Sequence, residues 1–139
     1  YIQQLFNKEC ALLSNGNFDD LPPVLIIDKI GILAKLYSIS DIAIIGGGFK
    51  DKLHNIIEPA AKGNYILFGP KHSRYPEASE MINANIADSF SNHTELKTKI
   101  ITAIENSNVL DDFKQRSKNF SKEKKGATEL VYQEIKNYL

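Results

Sequence analysis

No charge of one sign predominates, no apolar run is long enough to cross a bilayer, and cysteine is almost missing. Lysine plus arginine and aspartate plus glutamate each number 17, so the whole-molecule field that draws a protein to nucleic acid is lacking. DNA and RNA are therefore not expected partners. A membrane-spanning helix needs ~20 apolar residues in succession, and no stretch approaches that length. The one cysteine, Cys10, lies in an apolar segment and reads as a buried, inert thiol of a reducing compartment rather than a nucleophile. His72 and His93 have no second ligand at metal spacing, so neither a metal nor another cofactor is expected. No Ser/His/Asp set and no close carboxylate pair is legible, which leaves no complete catalytic machine in these residues. The chain opens at Tyr1 without a signal-peptide pattern, inside an apparent helix, and is expected to be a fragment of a longer protein.

What is present is ordinary for a globular fold: 42% hydrophobic and 24% charged residues in a chain of 139. Residues 1–139 are expected to form a single domain that buries roughly two-thirds of its unfolded surface and folds alone. Ile2, Leu5, Phe6, Ala11, Leu12 and Leu13 approximate a helical stripe ending at Ser14-Asn15-Gly16-Asn17. Asp19-Asp20-Leu21-Pro22-Pro23 is a rigid connector, and Val24–Ile27 is a short, β-branched apolar run that predicts a buried strand. Asp28 is placed to cap a helix carrying Ile30, Leu33, Ala34 and Tyr37 on one face. Further strands are predicted at Ile42–Ile45, Tyr65–Phe68 and around Ile86–Phe90. Helices are predicted between them, then one with Leu96, Ile100 and Ile104, and two more in the tail with Phe113, Phe120, Leu130 and Ile135. Strands alternating with helices of this length predict a Rossmann-like α/β fold: a parallel sheet with helices on both faces, followed by a helical C-terminal tail.

The stretch 46–63 looks built to hold a ligand. Gly46-Gly47-Gly48 follows a strand and is open either to a simple chain reversal or to close approach of a ligand. The acidic residue that a dinucleotide fingerprint needs ~20 positions on is not there, and Phe49-Lys50-Asp51 does not close a Walker A loop. Asn55-Ile56-Ile57-Glu58 has capping-box spacing, and Pro59 suits a first turn, so a helix should start near Ile56 and stop at Gly63. Glu58 serves either the cap or a ribose diol. His54 lies on the same loop as a donor. After the third strand, Lys71, His72, Ser73 and Arg74 offer polar groups to a phosphate or to solvent. The cationic run from Lys114 to Lys125 is either a solvated helix face or a contact for an anionic membrane surface.

Three blocks in unbroken order, Asp28-Lys29-Ile30-Gly31-Ile32-Leu33, Gly46-Gly47-Gly48-Phe49 and His54-Asn55-Ile56-Ile57-Glu58-Pro59-Ala60-Ala61, joined to Phe68-Gly69-Pro70, resemble the C-terminal domain of the 3-deoxy-D-manno-octulosonic acid (Kdo) transferases. The resemblance runs from about Val24 to Phe90. It implies the nucleotide-sugar half of a two-domain GT-B glycosyltransferase. Such enzymes transfer Kdo with inversion from CMP-Kdo to a lipid A precursor, as peripheral proteins at the cytoplasmic face of the inner membrane of Gram-negative bacteria. By this likeness Gly46, Gly47 and Gly48 border the donor, Asn55 lies at the phosphate end with the helix start, Glu58 holds the ribose, and the turn with Ile30 and Gly31 lies near the cytosine; His54, from its place on the loop, is open either to donating to a phosphate or sugar or to a structural role. The catalytic carboxylate would belong to the N-terminal domain, so no catalytic residue is expected here. The family often has glycine between the glycines and the histidine, where this chain has Lys50, Asp51, Lys52 and Leu53. Lys50 and Lys52 are candidate donors to the phosphate or the Kdo carboxylate. A GT-B domain for a UDP- or GDP-sugar, or a nucleotide-binding module without transfer activity, are the alternatives.

Overall fold

The computed structural model describes residues 10–16, 21–50, 52–124 and 126–138, and the chain divides into two compact units, 1–33 and 34–139. In the first, β1 (Cys10–Leu12) pairs in parallel with β2 (Val24–Ile26), setting Cys10 against Val24 and Leu12 against Ile26. All six strand residues are half-buried. The helix expected up to Leu13 is thus a strand over 10–12 followed by a single 3-10 turn, Leu13–Asn15; residues 1–9 lie outside the described chain. Three successive apolar residues satisfy either period, and the ladder offered by β2 decides for the strand.

Asp28 does not cap a helix. Its carboxylate accepts from the Ser14 amide at 3.0 Å and from the Ser14 hydroxyl, and that hydroxyl bond is the main cause holding its pKa below the ordinary carboxylate value. Gly31 at φ +88° interrupts the expected helix, which shrinks to α1 (Leu33–Leu36), with Tyr37 past its end and Ile30 fully exposed.

The second unit holds a parallel three-stranded sheet in the order β3 (Ile42–Ile44), β4 (Tyr65–Phe68), β5 (Ala87–Ser89). The helices are α2 (Ile57–Lys62), α3 (Pro76–Asn83), α4 (His93–Glu105), α5 (Ser107–Glu123) and α6 (Ala127–Lys136). The described strands thus form parallel sheets in the orders β1-β2 and β3-β4-β5.

The central strand β4 is no more than 4% exposed at any residue, and its alternation feeds two cores. Ile66 and Phe68 face Ala43, Ile56, Ala60, Ala78 and Met81, under α2 and α3. Tyr65 and Leu67 face Phe90, Ala103, Leu96 and Phe113, under α4 and α5. The Phe113 ring stacks on Tyr65 at 4.0 Å, and the Tyr65 hydroxyl donates to Asp88 at 3.1 Å. Burial first, and the Asp88 charge second, push the Tyr65 pKa up.

Gly63, left-handed at φ +88°, ends α2 and delivers the fully buried Asn64. Asn64 accepts from the Ser40 hydroxyl at 2.5 Å, donates to the Tyr37 carbonyl at 2.7 Å, and through its own carbonyl accepts from the Ser117 hydroxyl of α5 at 3.3 Å. Those bonds satisfy an amide that burial would otherwise penalise. Ile66→Ala is expected to cost about 2–5 kcal/mol, whereas Ile44→Ala, at a side chain 52% exposed, should cost under about 0.5 kcal/mol. Urea unfolding of the two variants measures the contrast.

Candidate functional site

The loop after β3 folds back on itself. Ile45 extends the strand by donating to Leu67 at 2.8 Å, Gly48 then donates to the Lys52 carbonyl at 2.8 Å, and His54 donates to the Gly46 carbonyl at 3.1 Å. Gly47 and Gly48 sit at φ +88° and +72°, a region that costs an L-residue strain. A Cβ on Gly47 would stand 2.0 Å from the Lys52 carbonyl oxygen.

The loop after β4 meets this one backbone to backbone. A Cβ on Gly48 would stand 2.8 Å from the Gly69 oxygen, and one on Gly69 would stand 2.5 Å from the Gly48 carbonyl carbon. The Lys71 amide donates to the Gly48 carbonyl at 2.6 Å, and the Leu53 amide donates to the Tyr75 phenol at 3.0 Å. The chain-reversal reading of the triple glycine holds at Gly47, which bridges to Leu53, whereas the contact of Gly48 with the loop after β4 was not anticipated. Gly46 differs, since a Cβ there would meet the His54 ring at an ordinary 3.5 Å.

The predicted residues of the second unit fall on one continuous segment. Asn55 Oδ1 accepts from the Ile57 amide at 2.9 Å and the Glu58 amide at 3.4 Å, which starts α2 where the spacing placed it. The reciprocal half of the capping box is not formed among the described residues. The Glu58 carboxylate is thus not consumed by the cap, and its charge, after burial, raises the pKa of Tyr37. His54 and Asn55 are exposed, as is Lys52, whose carbonyl is engaged by Gly48. Ile30 and Gly31 belong to the first unit, in the turn after β2, where Gly31 faces open space.

Past Gly69, His72 lies edge-on to Phe68 at 5.3 Å between ring centres, with Nδ1 buried and unpartnered. Lys71, Ser73 and Arg74 instead line an open cleft with Lys50, Pro70 and Tyr75. Sequence reasoning offered Lys50 and Lys71 on separate loops. What it missed was Gly69, whose lack of a side chain lets the two loops touch. No group of His, Cys, Asp or Glu among the described residues is arranged to hold a metal ion. Gly48→Ala is expected to lose about 1–3 kcal/mol through backbone strain and the Gly69 contact. Gly46→Ala should cost far less, as thermal unfolding would report.

No protein-family profile matches the chain. Among curated proteins, it is 27% identical over 132 residues to the 3-deoxy-D-manno-octulosonic acid transferase of Chlamydia pneumoniae, covering 93% of this chain and 30% of that protein. It is 35% identical over 115 residues to the enzyme of the same name from Chlamydia muridarum, covering 81% of this chain and 24% of that one. The chain thus spans less than a third of the length of these relatives. Among solved structures, the C-terminal CMP-Kdo binding domain of WaaA from Acinetobacter baumannii superposes with a TM-score of 0.73 at 18% identity, covering 84% of this chain and 62% of that one. That likeness establishes the α/β fold of a GT-B C-terminal domain. Over most of its length, the chain is a homologue of a segment of the 3-deoxy-D-manno-octulosonic acid transferases.

Proposed function

We propose that this chain is the donor-binding part of an inverting glycosyltransferase that moves Kdo from CMP-Kdo to a lipid A precursor in lipopolysaccharide synthesis. One observation carries the reading: the segment that aligns with the named transferases adopts the fold of a domain whose own name specifies CMP-Kdo. The chemistry of the loop supports it. The Glu58 carboxylate, not consumed by the Asn55 cap, is suited to accept both hydroxyls of a ribose.

In this reading Gly46, Gly47 and Gly48 border the donor, His54 and Asn55 lie toward its phosphate, and Lys52 reaches its anionic part. An acceptor hydroxyl must lose a proton as it attacks, and the base for that step comes from outside these residues. A lipid acceptor implies peripheral contact with the cytoplasmic face of the inner membrane. No helix among the described residues is long and apolar enough to cross a membrane.

Calorimetric titration with CMP, UMP, GDP and NAD tests the assignment. CMP should bind best; preference for the uridine, guanine or nicotinamide nucleotide would overturn the donor identity, and no binding at millimolar ligand would favour a module without transfer activity. Glu58→Ala should weaken CMP about 10- to 100-fold, the worth of a lost hydrogen bond to a charged group. Unchanged CMP affinity would remove Glu58 from the ribose. Lys52→Ala should weaken CMP-Kdo more than CMP.

A further inference from the structure

Four cations of the second unit find carboxylates. Lys99 pairs with Asp88 at 3.1 Å, Lys114 with Asp41 at 3.8 Å, Lys124 with Glu80 at 2.7 Å, and Arg116 with Asp112. Lys50, Lys71 and Arg74, like Lys52, Lys62 and Lys97, take part in no ion pair among the described residues. Of these, Lys50, Lys71 and Arg74 line one cleft of about 390 Å³, with the Ser73 hydroxyl between Lys71 and Arg74 in sequence. Glu77, the next carboxylate after Arg74, lines a different groove with Met81 and Phe120.

The cations are not gathered by chance on mobile ends. The two loops that carry them are joined by the Lys71 amide on the Gly48 carbonyl and by the Leu53 amide on the Tyr75 phenol. Their backbones meet at Gly48 and Gly69 with no room for a side chain. Three like charges thus line one cleft without an ion-pair partner among the described residues. A guanidinium fork, two ammonium groups and a hydroxyl are the donor set that holds a carboxylate or a phosphate.

We infer that Lys50, Lys71, Ser73 and Arg74 form an oxyanion subsite for a substrate of this protein, distinct from the Asn55–Glu58 contacts. The inference rests on the transferase reading only in naming the two possible guests: the carboxylate of the donor sugar, or a phosphate of the lipid acceptor. Either guest would be neutralised by the same donors.

Calorimetry on Lys71→Ala/Arg74→Gln separates them. If the sugar carboxylate is the guest, CMP-Kdo weakens by about tenfold or more while CMP is unchanged. If the acceptor phosphate is the guest, CMP-Kdo is unchanged and binding of the lipid A precursor falls by a similar factor. Lys50→Ala should move the same ligand in the same direction by less, and Lys71→Arg should retain binding. Lys97→Ala, which removes one exposed cation from α4, should change neither ligand. Unaltered affinity of the double variant for both ligands overturns the subsite. A parent protein that binds neither CMP nor CMP-Kdo sinks the transferase reading instead. The cleft is then judged with inorganic pyrophosphate: loss of about tenfold in the double variant supports it, and equal affinity overturns it.

Discussion

The contact between Gly48 and Gly69 is the constraint on which the ligand end of the second unit depends. A Cβ on either glycine would collide with the main chain of the other. Two loops from adjacent parallel strands therefore lie closer together than side chains allow, and the Lys71 amide closes the gap with a hydrogen bond to the Gly48 carbonyl. Parallel strands deliver their loops to the same end of a sheet, which is where α/β folds bind ligands. Here that generic placement is tightened into a fixed pair of walls. The residues displayed on them, Lys50 and Lys52 on one and Lys71 to Arg74 on the other, inherit that fixity.

Much of this was legible in the residues. Tyr65–Phe68 reads as a strand buried on both faces because four large apolar side chains stand between Gly63-Asn64 and Gly69-Pro70, and it is so. The limits of α2 followed from Asn55, Pro59 and Gly63, each acting by local chemistry that needs no tertiary partner. The Kdo-transferase resemblance rested on those same blocks. What failed was decided at a distance. Cys10–Leu12 is a strand because a parallel neighbour lies 14 positions away. Asp28 binds Ser14 rather than a helix start because that neighbour pairing brings the two turns together. The clamp between Gly48 and Gly69 was hidden for the same reason: a glycine that makes room for a ligand and one that makes room for another loop look alike in a sequence.

Neutral composition also concealed a local arrangement. The equal totals of acidic and basic residues are not mixed evenly in space. On α5 the basic run is partly spent on Asp41, Asp112 and Glu80, which favours a solvated helix face over a continuous positive stripe. The loops at the end of the sheet keep their charges unspent. A net charge of zero thus coexists with a cleft lined by Lys50, Lys71 and Arg74.

Helix α5, 17 residues long and therefore roughly 25 Å from end to end, puts Leu110 and Phe113 against one core and Phe120 against the other, with Ser117 tied to the Asn64 carbonyl between them. One rigid rod thereby belongs to both layers that sandwich β4. Neither layer can loosen without dragging on the other, so the second unit should melt as one cooperative body rather than face by face. Occupancy of the loops at the sheet's end would then protect amides on both sides of the sheet alike.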